Sequence, residues 1–394
     1  MLQTAATPRI SLWPIRLYYF FTGTSGFLLP FLSLFYIERG LSGTQIGWLG
    51  TVGSLTALLV APLWGRWSDR IAHPRGLLRF SLLGSAAFYL LLSQQNNFWG
   101  IALIVFFQSL AISGTEPISD SLAMGAVQEE EKAGFGSIRV WGSLGWAMAS
   151  FVSGWLIERM GLFIAFVGNA IGSIFSVLTL AFIPVKEKNV NATARPRTRE
   201  LIHNFQKDRA MVGLAISLAV LWLTRMGTYQ FEAIFMQQLG AGETLIGLTS
   251  TLGAIPELLG MLWADRLVHR YGSHTVLKWG FLLFAGTAAG IVIFPTIPAI
   301  IVMRAASGIA FSFYWVALIV FVNERAPLGQ TATTMALYLV TLRELVSIAG
   351  APLSGMAFDF FGAYWLYPIA VAGTLLSWFI LRLSVTGKRS QTLI

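Results

Sequence analysis

A chain of 394 residues would ordinarily fold as two or three water-soluble domains. Here 55% of the residues are hydrophobic and 11% are charged, against roughly 25% charged in a typical soluble domain, so a soluble fold is excluded. With no cysteine, a disulfide framework and a thiolate metal site are excluded too. The net charge of +9 is scattered through short links between apolar runs, which argues against a nucleic-acid partner.

The first apolar run has no short core followed by a small-residue cleavage site, and it is long enough to cross a bilayer, so it reads as a retained span. A bilayer core takes about 20 apolar residues as a helix. That length recurs twelve times, at 13–38, 43–65, 76–95, 98–124, 135–157, 162–183, 209–238, 244–264, 275–294, 297–322, 329–357 and 363–384. The links are short except "PVKEKNVNATARPRTRELIHNFQKDR" after the sixth span, a polar, basic, proline-containing connector. The pattern predicts an all-α membrane protein with an N-terminal six-helix bundle over 1–184, a linker over 185–208 and a C-terminal six-helix bundle over 209–394.

Lysine and arginine set the orientation. With the N-terminus inside, 21 of the 27 lie in inner segments, two (Arg39 and Arg159) in outer links and four within spans. This bias predicts that both ends and the linker face the cytoplasm of a cell inner membrane. Asn191-Ala-Thr193 spells a glycosylation triplet, but on the inner face it reads as chance.

The second and eighth spans open alike. "SGTQIGWLGTVGS" starts at Ser42 and "GETLIGLTSTLGA" at Gly242, so a shift of 200 carries Thr44, Ile46, Gly47, Thr51 and Gly53 onto Thr244, Ile246, Gly247, Thr251 and Gly253. The same two spans leave through "GRWSDRIAHPRG" and "GMLWADRLVHRYG", which matches Asp69-Arg70 with Asp265-Arg266. Glycines at such positions permit close helix contact. A duplicated six-span unit predicts a site at the midplane between the copies, reached alternately from either side.

With these residues in view, the chain resembles the major facilitator superfamily over nearly its whole length. "GRWSDR" is similar to that family's signature loop after the second span, with Gly65, Asp69 and Arg70 matching and Ala72 standing where a glycine is usual. "PISD" (117–120) and "GSIRVWGSLGW" (136–146) resemble the branch that holds lactose permease, nucleoside–proton symporters and phenylpropionate permeases. In lactose permease a carboxylate of the fourth span pairs with an arginine of the fifth to grip the sugar, and a tryptophan two turns beyond stacks on its ring. The resemblance puts Asp120, Arg139 and Trp146 in those roles. The glycine-proline pair of drug antiporters is missing from the fifth span, which tilts the expectation toward uptake. So is the relay histidine of lactose permease: His73, His203, His269 and His274 are all expected in cytoplasmic segments, leaving a carboxylate to carry any proton.

A charge near mid-bilayer costs at least ~2.5–3.5 kcal/mol on insertion scales and asks for a partner. The N-terminal half offers Glu116, Asp120 and Arg139; the C-terminal half offers Arg225, Glu232, Glu257, Arg304, Arg343 and Glu344. Asp120, Arg139, Trp146, Tyr18, Arg225, Tyr229 and Arg343 are the candidates for holding solute, and Tyr19, Trp141, Trp222, Phe313, Tyr314 and Trp315 are further aromatic residues able to line a cavity. Glu257, which follows Pro256, is the foremost proton carrier, with Glu344 and Glu232 behind it. Its proton affinity would swing as an arginine such as Arg343 or Arg225 came and went. Asp69, Arg70, Asp265, Arg266, Glu116 and Arg304 are expected to act as gates, and Arg304 could lock to Glu232. Asp120 with Arg139 could equally be a cytoplasmic latch.

These expectations describe a transporter, not an enzyme. No cofactor or metal is called for, and a proton gradient drives a small organic solute such as a sugar, nucleoside or aromatic acid through a monomer in the lipid bilayer. An exporter of drugs or metabolites is the alternative. A membrane enzyme would want a catalytic histidine, cysteine or paired-acid cluster near one interface, and a sensor on a transporter fold would usually carry an appended soluble domain beyond "VTGKRSQTLI".

Overall fold

A computed structural model describes residues 12–70, 75–128, 136–183, 208–327 and 330–384. Among these residues every regular element is helical. Twelve helices are long and apolar enough to cross a membrane: α1 (Trp13–Glu38), α2 (Gly43–Trp64), α3 (Arg75–Leu92), α4 (Phe98–Met124), α5 (Gly136–Met160), α6 (Phe163–Phe182), α7 (Arg209–Gln230), α8 (Glu243–Tyr271), α9 (Ser273–Ile293), α10 (Ile297–Arg325), α11 (Thr333–Phe361) and α12 (Leu366–Ser384). Hydrocarbon offers no partner to a free peptide group, so each span closes its own backbone hydrogen bonds. Side chains finish some ends. Asp208 accepts from the Ala210 and Met211 amides at the start of α7, and Asn97 accepts from Gly100 at the start of α4.

Three expected boundaries move. Helix α8 runs to Tyr271, seven residues beyond its apolar stretch, because "ADRLVHRY" is polar yet helix-forming; hydropathy marks the hydrocarbon slab, not the helix end. Gly272, at φ +83, stops it and leads at once into α9. His269 and His274 therefore sit in the terminal turns of α8 and α9, not in a link; His73 and His203 lie outside the described residues. In the third case, α7 stops at Gln230. Phe231 leaves helical geometry (φ −113, ψ 8), and a separate short helix, Glu232–Gln238, follows.

The chain packs as two compact units. One comprises Met1–Leu32, Thr56–Ala192 and Glu243–Thr251; the other comprises Ser33–Leu55, Thr193–Gly242 and Leu252–Ile394. The first has a core around Ile15, Tyr18, Leu78, Leu82 and Ile138. The second is centred on Met211, Leu214, Phe281, Tyr314 and Phe321. Large apolar side chains such as Trp99 and Phe360 are about four-fifths exposed, as suits helices whose solvent is lipid.

Each unit also takes in the opening of one span from the other chain half, and this is where the duplicated motif finds its purpose. In the second unit the start of α2 lies against α11 so tightly that a Cβ on Gly47 would strike the Ala351 carbonyl, and one on Gly355 would strike the carbonyl of Gly43. Asp359 accepts hydrogen bonds from the Gly43 amide (2.6 Å), the Thr44 amide (2.7 Å) and the Thr44 hydroxyl (2.6 Å). Thr51 donates to the Ile348 carbonyl at 2.8 Å.

The first unit repeats the device with α8 against α5. Gly247 abuts the Ser150 carbonyl, and Gly154 abuts that of Glu243. Glu158 accepts from the Thr244 amide at 3.1 Å, and Thr251 donates to Ala147 at 2.7 Å. Thr44, Gly47 and Thr51 thus do in one unit what Thr244, Gly247 and Thr251 do in the other. In both, the opposing helix supplies a glycine and, one turn later, a carboxylate that caps a positive helix end.

Candidate functional site

Five of the ionisable groups inside the spans, Glu116, Glu232, Glu257, Arg343 and Glu344, fall beside irregularities in their helices. Helix α4 breaks at Ser113–Gly114, where the Trp64 ring lies against Gly114, and restarts at Thr115 with Glu116 in its first turn. The break at Phe231, whose ring stacks on Phe358 at 4.3 Å, precedes Glu232. Pro256 precedes Glu257 within α8. A π-helical stretch over Ala336–Thr341 leads into Arg343 and Glu344. Such interruptions free backbone groups and re-aim side chains, and they recur at binding sites in transporters.

In the first unit, α1, α4 and α5 bring one ionic cluster together. Arg139 Nη2 lies 3.1 Å from Glu116 Oε1, and its Nη1 lies 3.6 Å from Asp120 Oδ1. The Tyr19 hydroxyl donates to the same Asp120 oxygen at 2.6 Å. The expected pairing of Asp120 with Arg139 is present, and Glu116 joins it. Arg139 and Glu116 are half exposed or more, at 51% and 70%, so the cluster is open. Tyr18, expected beside the solute, is instead buried with its hydroxyl 2.6 Å from Ser119; consecutive helical residues point about 100° apart, so its neighbour Tyr19 reaches the acid. Trp146 lays its ring on Gly26 of α1, at a place where any Cβ would collide with the ring.

The second unit holds a more enclosed cluster between α7, α9, α10 and α12. Arg304 Nη1 lies 3.6 Å from Glu232 Oε2, the pair expected from the sequence, with side chains 24% and 15% exposed. Arg225 is buried. Its Nη1 donates to the Phe284 carbonyl (3.3 Å) and its Nη2 to the Tyr229 hydroxyl (3.2 Å), with the guanidinium 4.1 Å from the centre of the Phe284 ring. Among the described residues no carboxylate lies within ion-pair distance of Arg225. A cavity of about 30 Å³ opens between these groups, lined by Arg225, Tyr229, Glu232, Arg304 and Tyr367 together with Thr228, Thr287 and Ser307.

The remaining candidates are distributed more widely. Glu257 is within electrostatic reach of Arg304, which adds that arginine to the Arg225 and Arg343 considered from the sequence. Arg343 instead pairs with its neighbour Glu344 at 3.0 Å. Asp265, expected as a gate beside Arg266, contacts His269 at 3.7 Å one turn on, with both side chains mostly exposed. The side chains of Asp69 and Arg70 lie outside the described residues. Among the described residues no group of three histidine or acidic side chains could hold a metal.

The sequence reading gives two residues no part in these ionic clusters. Tyr19 stands in the sequence as one aromatic among many, and only its bond to Asp120 distinguishes it. Tyr367 opens α12 as an ordinary interfacial tyrosine, yet it is buried on the cavity wall with a hydroxyl that has no hydrogen-bond partner.

Comparison with known proteins bears on the family and the fold. The model of the MFS_1 like family matches residues 12–369. The chain is 26% identical over 343 residues to a maltose permease of Geobacillus stearothermophilus, covering 84% of each chain. It is 26% identical over 285 residues to a multi-drug resistance efflux pump PmrA homologue of Lactococcus lactis, covering 67% of each. In three dimensions it is similar to the crystal structure of the nucleoside transporter NupG, with a TM-score of 0.80 at 17% identity over 95% of this chain and 99% of that one.

Proposed function

The chain belongs to the MFS_1 like family, and we propose that, within this family of transport proteins, it takes up a small organic solute together with protons by alternating access. The observation that carries this reading is a carboxylate inside a span, Glu257 beside Pro256, within electrostatic reach of an arginine that is itself paired to a second acid, Glu232. A carboxylate in that position changes its proton affinity when the arginine is shared differently. One pKa unit corresponds to about 1.4 kcal/mol, so a shift of one ion pair is enough to load or release a proton. The open Asp120–Arg139–Glu116 cluster, with Tyr19, offers donors and acceptors to a polyhydroxylated or heterocyclic solute. The names of the maltose permease and the nucleoside transporter support a sugar or nucleoside, and an aromatic acid suits the arginines.

In this reading residues 1–184 and 209–394 form the two rocking bundles, joined by a cytoplasmic linker over 185–208, in a monomer of the cell inner membrane. Asp69-Arg70 and Asp265-Arg266 brace the cytoplasmic gate. No cofactor takes part, and the proton gradient is the driving force. The test is solute accumulation in proteoliposomes under an imposed inward proton gradient. Glu257→Gln is expected to abolish accumulation while sparing solute exchange; accumulation that survives it removes Glu257 from the proton path. The efflux-pump relative favours a second reading, proton-driven export. Counterflow measured in inverted and right-side-out vesicles separates the two by direction.

A further inference from the structure

The cavity in the second unit contains more positive charge and more unused hydrogen-bonding capacity than its own walls consume. Of its charged lining residues two are arginines and one is an acid, and that acid, Glu232, faces Arg304. Glu257, on α8, is the further acid in reach, and it too acts on Arg304. Arg225 is left with a carbonyl, a phenol oxygen and aromatic faces, none of which carries a negative charge. Tyr367 also lines the cavity; the residue is 3% exposed and its hydroxyl makes no hydrogen bond, although a buried O–H of this kind is nearly always paired. Thr228, Thr287 and Ser307 also line the space, but each already donates its hydroxyl to a carbonyl of its own helix. A guanidinium without an ion-pair partner and an orphan hydroxyl, on two residues that line one cavity, point to a site for an acceptor that is negatively charged.

We propose that this cavity binds one small anionic group, with Arg225 as its charge partner and the Tyr367 hydroxyl as its hydrogen-bond donor. Its size sets the class. About 30 Å³ accommodates a water or two, a halide ion or a single carboxylate, whereas a whole drug-sized solute needs a few hundred Å³. The anion is therefore either the carboxylate of a solute whose body extends beyond the cavity or a free inorganic ion. The first source rests on the transport reading above; the site itself does not.

The purified full-length chain in detergent is melted, by tryptophan fluorescence, in the sodium salt of the bulky sulfonate MES. Sodium chloride or sodium benzoate is then exchanged in at constant ionic strength. A ligand of the folded state gives a saturable rise in melting temperature of about 3 °C or more at high occupancy. Tyr367→Phe loses no hydrogen bond of the free protein, so it is expected to melt like the parent in MES. It should need about tenfold more anion for the same rise, because a hydrogen bond to a charged group is missing. Arg225→Gln abolishes the rise and Arg225→Lys retains part of it. A rise with chloride identifies a free-ion site, and a rise with benzoate alone identifies the carboxylate of an organic solute. Failure of both anions to give a saturable rise, or a rise that is undiminished in both Tyr367→Phe and Arg225→Gln, overturns the proposal. Proton-driven accumulation that survives in Glu257→Gln would overturn the transport reading and leave this melting result untouched, so the two readings fail separately.

Discussion

The two ionic clusters are assembled from the same side chains and differ in how they are covered. In the first unit one arginine faces two acids in the open, Arg139 and Glu116 being at least half exposed. In the second, two arginines and one acid line a small cavity, and the Arg304–Glu232 pair is about four-fifths buried. Covering decides what a charge is worth. An exposed pair gains about 0–1 kcal/mol and is screened by salt, whereas breaking a buried pair leaves an unanswered charge in a poor solvent. On the function proposed above, the open cluster would exchange its partners for a solute cheaply, and the more buried one would resist rearrangement until a proton or an anion reset its charge.

The largest expected effect breaks the more buried cluster. Arg304→Gln strands Glu232 and should destabilise the purified protein by about 3 kcal/mol, read as a lowered melting temperature. Adding Glu232→Gln to that background should recover most of the loss, since the stranded charge is gone. A double variant no more stable than Arg304→Gln alone shows that the pair is not the source of the cost.

How much of this was legible in the sequence follows from what each feature depends on. The span count, and the pairs Asp120 with Arg139 and Arg304 with Glu232, could be anticipated because a charge inside an apolar run is conspicuous and must be answered. The repeat announced that Thr44 and Thr244 do one job, but the partners doing it, Asp359 and Glu158, sit at the far ends of other spans where an acid is unremarkable. Tyr367 is invisible for a related reason: an unpaired hydroxyl is defined by what fails to surround it, which only packing reveals. The extra length of α8 was missed because hydropathy senses lipid and not helix propensity, and the stop is a single glycine in the left-handed region.

The capping carboxylates sharpen the comparison, since they are exposed like the first cluster yet bonded to backbone. Asp359 accepts three hydrogen bonds from Gly43 and Thr44, so Asp359→Asn should cost about 1 kcal/mol, within the range of a lost helix cap. Glu158 accepts from the amide and the hydroxyl of Thr244 alone, one bond fewer, and Glu158→Gln should lower the melting temperature less than Asp359→Asn does. Equal shifts for the two would mean that hydrogen-bond count does not govern these crossings and that the tight glycine contacts beneath them do.

The smallest effect on stability is expected where the effect on transport should be greatest. Arg139 is half exposed, so Arg139→Gln should change unfolding by about 1 kcal/mol or less, and salt should shrink even that. The same change leaves Asp120 and Glu116 one turn apart with only the Tyr19 hydroxyl to answer them, which removes the cluster's one cation. Solute binding and uptake by Arg139→Gln should therefore collapse in a protein that melts almost normally. If it melts well below the parent instead, the open cluster is a structural latch, and its exposure has been mistaken for availability.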